Sequence, residues 1–88
     1  MAVYLIGYDL REGEDYESLI ETIKSLGNWW HYLDSTWLVD SVWNQDQITN
    51  ALISKLQSNS DRFLVMPVSR PVQGWLSGDA WNWINQRV

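Results

Sequence analysis

One aspartate stands where a catalytic or metal-binding carboxylate would be useful, at the end of the first apolar stretch of the chain. Asp9 follows the run from Ala2 to Tyr8 and is the acid with the clearest candidate role. Mg²⁺ prefers oxygen ligands, and a bound metal would activate water or stabilise a leaving oxygen. The alternative is a strand-end aspartate that accepts backbone N–H bonds in the following turn. Asp9 is therefore the predicted catalytic residue and metal ligand, if the protein is a nuclease.

A run of aromatic residues forms the second candidate group. On a strand, Trp29 and His31 share one face while Trp30 and Tyr32 share the other. Stacking of a base on an aromatic ring contributes about 1–3 kcal/mol and needs little positive charge nearby. The same residue types are enriched in protein interfaces, so a core or dimer-interface role stays open beside a stacking role. The predicted ligand-binding residues are Tyr8, Arg11, Trp29, Trp30, His31, Tyr32, Trp37, Arg70 and Trp75.

The two arginines of this set, Arg11 and Arg70, lie at predicted strand ends, where either could bind a phosphate. Other chemistry has less support. The chain has no cysteine and one histidine, which excludes thiolate zinc sites and sites that need two histidines from one chain. The acids between Asp9 and Glu17 lack EF-hand spacing and are expected to form a solvated loop.

Composition limits the partners. Hydrophobic residues make up 45% and charged residues 19%, which is typical of a globular domain, and 88 residues make one such domain. Six basic against eleven acidic residues give a net charge of −5, which disfavours binding of long nucleic acid. No apolar run reaches the roughly 18 residues of a membrane span, and the N-terminus shows no signal-peptide pattern. We expect a cytoplasmic protein without membrane contact.

The elements that must position these residues follow from hydrophobic periodicity. Strands are predicted at Ala2–Asp9, 29–33, 37–42 and 62–68, with a tight turn at Asp34-Ser35. Helices are predicted at 15–26 and 45–57; the first has Asp15 as N-cap and Gly27 as a left-handed C-cap, and the second has a capping box of Asn44 and Gln47. Pro67 near the end of the last strand indicates an edge or a bulge.

This β-α-β-β-α-β order predicts an α+β, ferredoxin-like fold, a four-stranded antiparallel sheet with both helices on one face. The other face would be bare in a monomer, so a dimer or a ligand should cover it. Residues 1–71 form the domain, and residues 72–88 form a tryptophan-rich C-terminal extension that packs on the sheet or on a partner. Within it, 74–76 could form a fifth strand, and Asp79 could cap a last helical turn or two. Its tryptophans are expected to dock, with a pocket lid as the alternative.

Four pieces in this order resemble one known family. They are Tyr8-Asp9-Leu10, Leu26-Gly27, the run from Tyr32 to Val39, and the strand from Phe63 to Val68. Together they are similar to CRISPR-associated protein 2, a small spacer-acquisition nuclease, and to its SinR-like relatives. The resemblance implies a homodimer in which strands near the C-terminus pair across the interface. It also implies that Asp9 of each subunit holds a divalent metal in nuclease members, although the basic surface of the DNA-binding members is missing here.

Three functions compete. The first is a non-enzymatic, homodimeric module whose aromatic pockets bind a nucleotide or a short, cyclic oligonucleotide without a cofactor. Such a module would sequester a nucleotide signal, for example in the conflict between phages and bacterial defence. The second is a Mg²⁺-dependent endonuclease or endoribonuclease that uses Asp9. The third is a protein-interaction or assembly subunit with no small ligand.

Overall fold

A computed structural model describes residues 2–88 and shows an α+β arrangement of strands and helices in alternation. The elements are β1 (Ala2–Asp9), α1 (Glu17–Ser25), β2 (Gly27–Leu33), β3 (Thr36–Ser41), α2 (Gln45–Ile53), β4 (Arg62–Pro67) and α3 (Gly78–Arg87). The four strands form one antiparallel sheet. The predicted α+β class is confirmed at this level, and the arrangement is compatible with a ferredoxin-like fold. Among residues 2–88, no helix combines the length and apolarity that crossing a membrane requires.

The strand order across the sheet is β2-β3-β1-β4, so β1 and β3 are central and β2 and β4 are edges. The edge position of β4 agrees with Pro67 at its end, because a proline cannot donate to a ladder. In the register, Leu5 lies opposite Leu38 on one side and Met66 on the other. Rows of side chains therefore cross the sheet on each face.

Helices α1 and α2 both pack on one face of the sheet, called here the helix face. Ile6 and Val39 come from the central strands, and both are completely buried. They form one cluster with Trp37 and with buried side chains of the two helices, namely Leu19, Ile23, Ile48 and Leu52. This cluster is the main core of the domain.

The opposite face, called here the tail face, is partly covered by the C-terminal segment of the same chain. Val3, Trp30 and Leu38 from the sheet form a second buried cluster with Ala80 and Ile84 of α3. The expectation that this face is bare in a monomer is therefore wrong. The chain supplies its own third helix because β1 and β3 are apolar on both faces and water contact with either would be costly.

Two helices end or begin away from the predicted positions. Helix α1 starts at Glu17 and has Tyr16 as its N-cap residue, so the prediction of Asp15 as N-cap is wrong; Asp15, one residue before the cap, accepts the Glu17 N–H at 2.9 Å. Helix α2 has the predicted capping box but ends at Ile53 instead of reaching residue 57. The backbone N–H groups of residues 57 and 58 instead donate to the Asp61 carboxylate, which bends the chain away from the helix.

The tail also differs from its prediction. Helix α3 is ten residues long, and Ser77, rather than Asp79, is its N-cap, accepting the Ala80 N–H at 3.3 Å. Residues 74–76 form no strand. They lie over the tail face, beside Leu5 and Leu38, instead of along an edge where a ladder could form.

Gly27 lies at a close approach between two strands. It is the first residue of β2, so the prediction that it is the left-handed C-cap of α1 is wrong. Its φ is 158°, and Leu26 is the C-cap residue of α1. A Cβ built on Gly27 would lie 2.1 Å from the carbonyl oxygen of Asp40, closer than atoms can approach. Only glycine fits where β2 begins.

Asp61 is a buried carboxylate that ties three segments together. It accepts hydrogen bonds from the Tyr16 hydroxyl at 2.5 Å and from the Arg11 backbone N–H at 3.0 Å. It also accepts from the backbone N–H groups of Gln57 and Ser58. Burial by itself would raise the pKa of Asp61, but these four hydrogen bonds outweigh it and lower that pKa to about 2. The loops after β1 and α2 are held at this residue.

Gly27→Ala should lower the free energy of unfolding by about 1–3 kcal/mol, because the new methyl group displaces the β3 backbone. Gly78→Ala is the matched control, since nothing lies within 4 Å of a Cβ at Gly78. At the start of α3, alanine should leave the stability unchanged or raise it slightly. Urea denaturation of both variants measures this. Equal stability of the two variants would contradict the close approach at Gly27.

Stability should fall on acidification through the titration of Asp61. Its pKa is lower in the folded chain than its ordinary 3.8, so its stabilising contribution is complete above about pH 4 and is lost as the pH falls towards 2. Asp61→Asn should therefore lower the thermal midpoint at pH 7 and flatten its decline between pH 4 and pH 2. Glu21→Gln, at an exposed position of α1, is the control. An acid decline that is as steep in Asp61→Asn as in Glu21→Gln would refute this role.

Candidate functional site

Aromatic side chains gather on the helix face around Trp37. The His31 ring stacks on Trp37 with centroids 3.7 Å apart and planes at 16°, and Trp29 tilts against Trp37 at 5.3 Å. The Trp37 indole N–H donates to the Tyr8 hydroxyl at 3.1 Å. We call these four residues the helix-face cluster. They bring together four of the predicted ligand-binding residues.

The helix-face cluster leaves no room for a stacked ligand at its centre. Trp37 is only 2% exposed, because Trp29 and His31 pack against its ring. The Lys24 ammonium lies 5.2 Å from the centroid of Trp29, so a cation already occupies one side of that ring. Nε2 of His31 donates to the Asp34 carbonyl oxygen at 2.7 Å, which fixes the imidazole. We interpret this cluster as packing that closes the β2–β3 hairpin onto the core.

A cavity on the tail face is the stronger candidate. Its volume is about 340 Å³, and it lies between the sheet, α3 and the segment 72–76. Its walls are almost entirely apolar, and two polar side chains, Thr36 and Gln73, also line it. The walls include Leu5, Trp30, Leu33, Leu38, Trp75 and Leu76. We call this the tail-face cavity.

The side chains at the bottom of the tail-face cavity come from β1 and β3, because side chains alternate between the two faces along each strand. Val3 and Leu5 of β1 point to the tail face because Tyr4 and Ile6 point to the helix face. Leu38 of β3 faces the tail for the same reason. This alternation in β1 and β3 was available in the sequence, but the predicted ligand-binding set included only aromatic and basic residues and missed Leu5 and Leu38, which line the cavity.

Hydrogen bonds hold the tail over the floor. The Trp30 indole N–H donates to the Ala80 carbonyl oxygen at 3.2 Å. The Arg70 guanidinium donates to Asn85 Oδ1 at 2.7 Å and to the Val88 carbonyl oxygen at 3.1 Å. Arg87 forms an ion pair with Asp40 at 3.6 Å. Helix α3 is thus anchored in both its N-terminal and its C-terminal half.

Trp75 stands out at the rim of the tail-face cavity. Its side chain is 99% exposed, although it lies in an anchored segment between Val72 and α3. A large apolar ring that is left in water beside an apolar cavity is typical of a binding surface. Tyr32 lies on the same face, with its ring 5.3 Å from that of Trp30.

The two predicted phosphate-binding arginines lie elsewhere. Arg70 uses its guanidinium on Asn85 and Val88, and so acts as an anchor of the tail. Arg11 borders a separate, open and mostly polar hollow of about 850 Å³, which is lined by Ile53 and residues 56–61. Neither lines the tail-face cavity. The predicted ligand-binding set is therefore split between two faces of the sheet and two separate loops.

Asp9, the predicted metal ligand, is exposed at the end of β1. It lies opposite Arg62 in the ladder, but the Arg62 guanidinium donates to the carbonyl oxygens of Asn59 and Asp61. Within residues 2–88, the one ion pair is that of Arg87 with Asp40, so the Asp9 carboxylate is unpaired there. No group of three potential metal ligands comes together in the described part of the chain. A paired site formed by two copies of Asp9 stays a prediction.

No family model matches the chain, and no curated protein and no solved structure matches it either. The candidate site therefore rests on the shape of the tail-face cavity, on the chemistry of its walls and on the exposure of Trp75.

Proposed function

We propose that the protein is a non-enzymatic nucleotide-binding module that takes a base into the tail-face cavity beside Trp75. The observation that carries the proposal is a fully exposed tryptophan at the rim of an apolar cavity of about 340 Å³. Small-molecule sites have volumes of roughly 300–1,000 Å³ and are mostly apolar, with a few polar groups that orient the ligand. The tail-face cavity meets this description at the lower end of the range.

The walls suit the two kinds of surface that a base presents. The flat faces of a base are apolar, and Trp75 offers an exposed ring for stacking, while Trp30, which is only 2% exposed, forms part of the wall. The edge of a base carries hydrogen-bond donors and acceptors, and the Thr36 hydroxyl and the Gln73 amide are the polar side chains in the lining. Binding would depend on these contacts and on exclusion of water from the aliphatic floor.

The phosphate of such a nucleotide would stay in solvent. No lysine or arginine lines the cavity, and the chain carries a net charge of −5. Phosphate contacts are what make nucleotide affinity depend strongly on salt. A module that binds through the base alone, and performs no reaction on it, would lower the free concentration of its ligand. This is the behaviour that sequestration of a nucleotide signal requires.

The finer fold assignment belongs to the same proposal. The strand order β2-β3-β1-β4, with α1 and α2 on one face, supports a ferredoxin-like domain. The third helix on the opposite face is an addition to that pattern. The homodimer implied by the family resemblance stays a prediction.

Nucleosides should bind as tightly as their monophosphates, and the dissociation constants should change less than twofold between 50 and 200 mM salt. Isothermal titration calorimetry with adenosine, guanosine, cytidine, uridine and their monophosphates measures this. Trp75→Ala should weaken binding of the best nucleoside about 5- to 150-fold, as expected from a lost stacking contact of about 1–3 kcal/mol. Trp43→Ala is the matched control, because Trp43 is 41% exposed and does not line the cavity.

Three results would contradict the proposal. One is the absence of binding by every nucleoside and monophosphate at millimolar concentration. Another is a monophosphate that binds far more tightly than its nucleoside and with steep salt dependence. In that case contacts to the phosphate, and not to the base, would provide most of the binding free energy. The third is equal weakening by Trp75→Ala and Trp43→Ala.

A further inference from the structure

An apolar strip runs from β4 to the wall of the tail-face cavity, which it meets at Leu33 and Thr36, and the tail leaves its β4 side chains uncovered. Leu64 and Met66 of β4 face this side and are 57% and 44% exposed. Leu64 lies opposite Gly7 in the ladder, and Gly7 lies opposite Thr36. Leu33, which lies opposite Thr36, is 48% exposed. The row from Leu64 to Leu33 crosses all four strands, a width of about 14 Å.

Gly7 makes this strip concave at its centre. It sits in a central strand between side chains on both neighbours, and its own lack of a side chain leaves a hollow that Leu64 also borders. A Cβ on Gly7 would meet only ordinary contacts, with its nearest neighbour at 3.6 Å, so the glycine is not required by the packing of the fold. The strip thus has apolar walls and a shallow floor.

Strand addition at the neighbouring edge is hindered. The Val68 N–H donates to the Val3 carbonyl oxygen at 2.9 Å. Because the pattern alternates in an antiparallel ladder, the backbone polar groups of Phe63, Val65 and Pro67 point away from β1, towards the open edge of the sheet. The outward carbonyl of Val65 is occupied by the Gln45 side chain at 2.9 Å, and Pro67 has no N–H. Such devices protect edges against pairing with another strand.

A flat second sheet is also a poor occupant. Helix α3 stands on the tail face, and an α-helix with its side chains is about 10 Å across. Its outward side is polar and exposed, with Asp79, Asn82, Asn85 and Gln86. A second copy that laid its own tail face here would bury these groups before it reached the strip. Only a narrow element can contact the strip beside α3.

Charge along one side of the strip, at the end of the sheet where β1 finishes, favours a basic occupant. Asp9 ends β1, the exposed acids Glu12 and Glu14 follow it, and Asp34 lies in the turn between β2 and β3 at the same end of the sheet. The guanidinium of Arg62, which is also at this end, donates to backbone carbonyls. The net charge of the whole chain is −5.

We propose that the strip docks an amphipathic α-helix of a partner protein, apolar on the docking side and rich in lysine or arginine elsewhere. Three turns of such a helix are about 16 Å long and span the row from Leu64 to Leu33. Its apolar residues on successive turns would lie along the row from Leu64 to Leu33, with Met66 beside the Leu64 end, as in other helix-in-groove complexes. Its basic residues would lie near Asp9.

The probe is a synthetic 14-residue helical peptide with leucine on one face and lysine on the other. Binding is followed by NMR of ¹³C-methyl methionine, because the chain has two methionines and Met66 lies in the strip. The Met66 signal should shift on titration. Leu64→Glu should weaken binding about tenfold or more, whereas Ile53→Glu should not. Ile53 is the matched control, since it is 54% exposed on α2, on the other side of the sheet.

Two control peptides separate docking from general attraction. A scrambled peptide of the same composition and a peptide with glutamate in place of lysine should leave the Met66 signal unshifted. Equal binding of the scrambled peptide, or equal binding by Leu64→Glu and the original chain, would overturn the proposal. A native mass spectrum in which Leu64→Glu converts a dimer to a monomer would overturn it as well, because the occupant would then be a second copy. Nucleoside binding should be unchanged in Leu64→Glu, so base binding and helix docking are tested separately.

Discussion

The two central strands are apolar on both sides, and this constraint governs the rest of the structure. Ile6 is completely buried on the helix face, and Leu38 is 6% exposed on the tail face, in neighbouring strands of one sheet. Each such aliphatic side chain contributes about 1.5–3 kcal/mol when it is removed from water. Helices α1 and α2 cover the apolar side chains of one face, and α3 covers part of the other face. The part that α3 leaves open contains both the tail-face cavity and the apolar strip beside it.

Aromatic residues on the two faces of the sheet have different roles. Trp29 and Trp30 are adjacent in the chain but lie on opposite faces, because side chains alternate along β2. On the helix face, the rings pack against one another and close the core, with Trp37 only 2% exposed. On the tail face, Trp75 is 99% exposed beside an open cavity. The difference in exposure, not the residue type, distinguishes structural from candidate functional tryptophans.

Much of the fold can be predicted from local sequence, because local signals determine it. The bounds of β1 are predicted correctly at Ala2–Asp9, and the other strand bounds are correct within two residues. The capping box of Asn44 and Gln47 is confirmed, since it depends on residues three apart. The end of α2 cannot be predicted in this way, because it depends on Asp61, which also binds Tyr16 on a distant segment.

The candidate site is less predictable for the same physical reason. Alternation correctly assigns Trp29 and Trp30 to opposite faces, but it does not say which face has an open cavity. That depends on where α3 docks and on how Arg70 and Arg87 anchor it. The arginine at position 70 resembles a phosphate ligand in the sequence and is an anchor of the tail in the structure.

The measurement that tests the central claim most directly uses the seven tryptophan indole N–H signals as built-in reporters. ¹H–¹⁵N NMR spectra, assigned by single Trp→Phe variants, would be recorded during titration with the nucleoside that binds best. The account predicts that the indole signals of Trp30 and Trp75 shift together, while those of Trp29 and Trp37 stay in place. Shifts confined to Trp29 and Trp37 would place the ligand on the helix face and contradict the account.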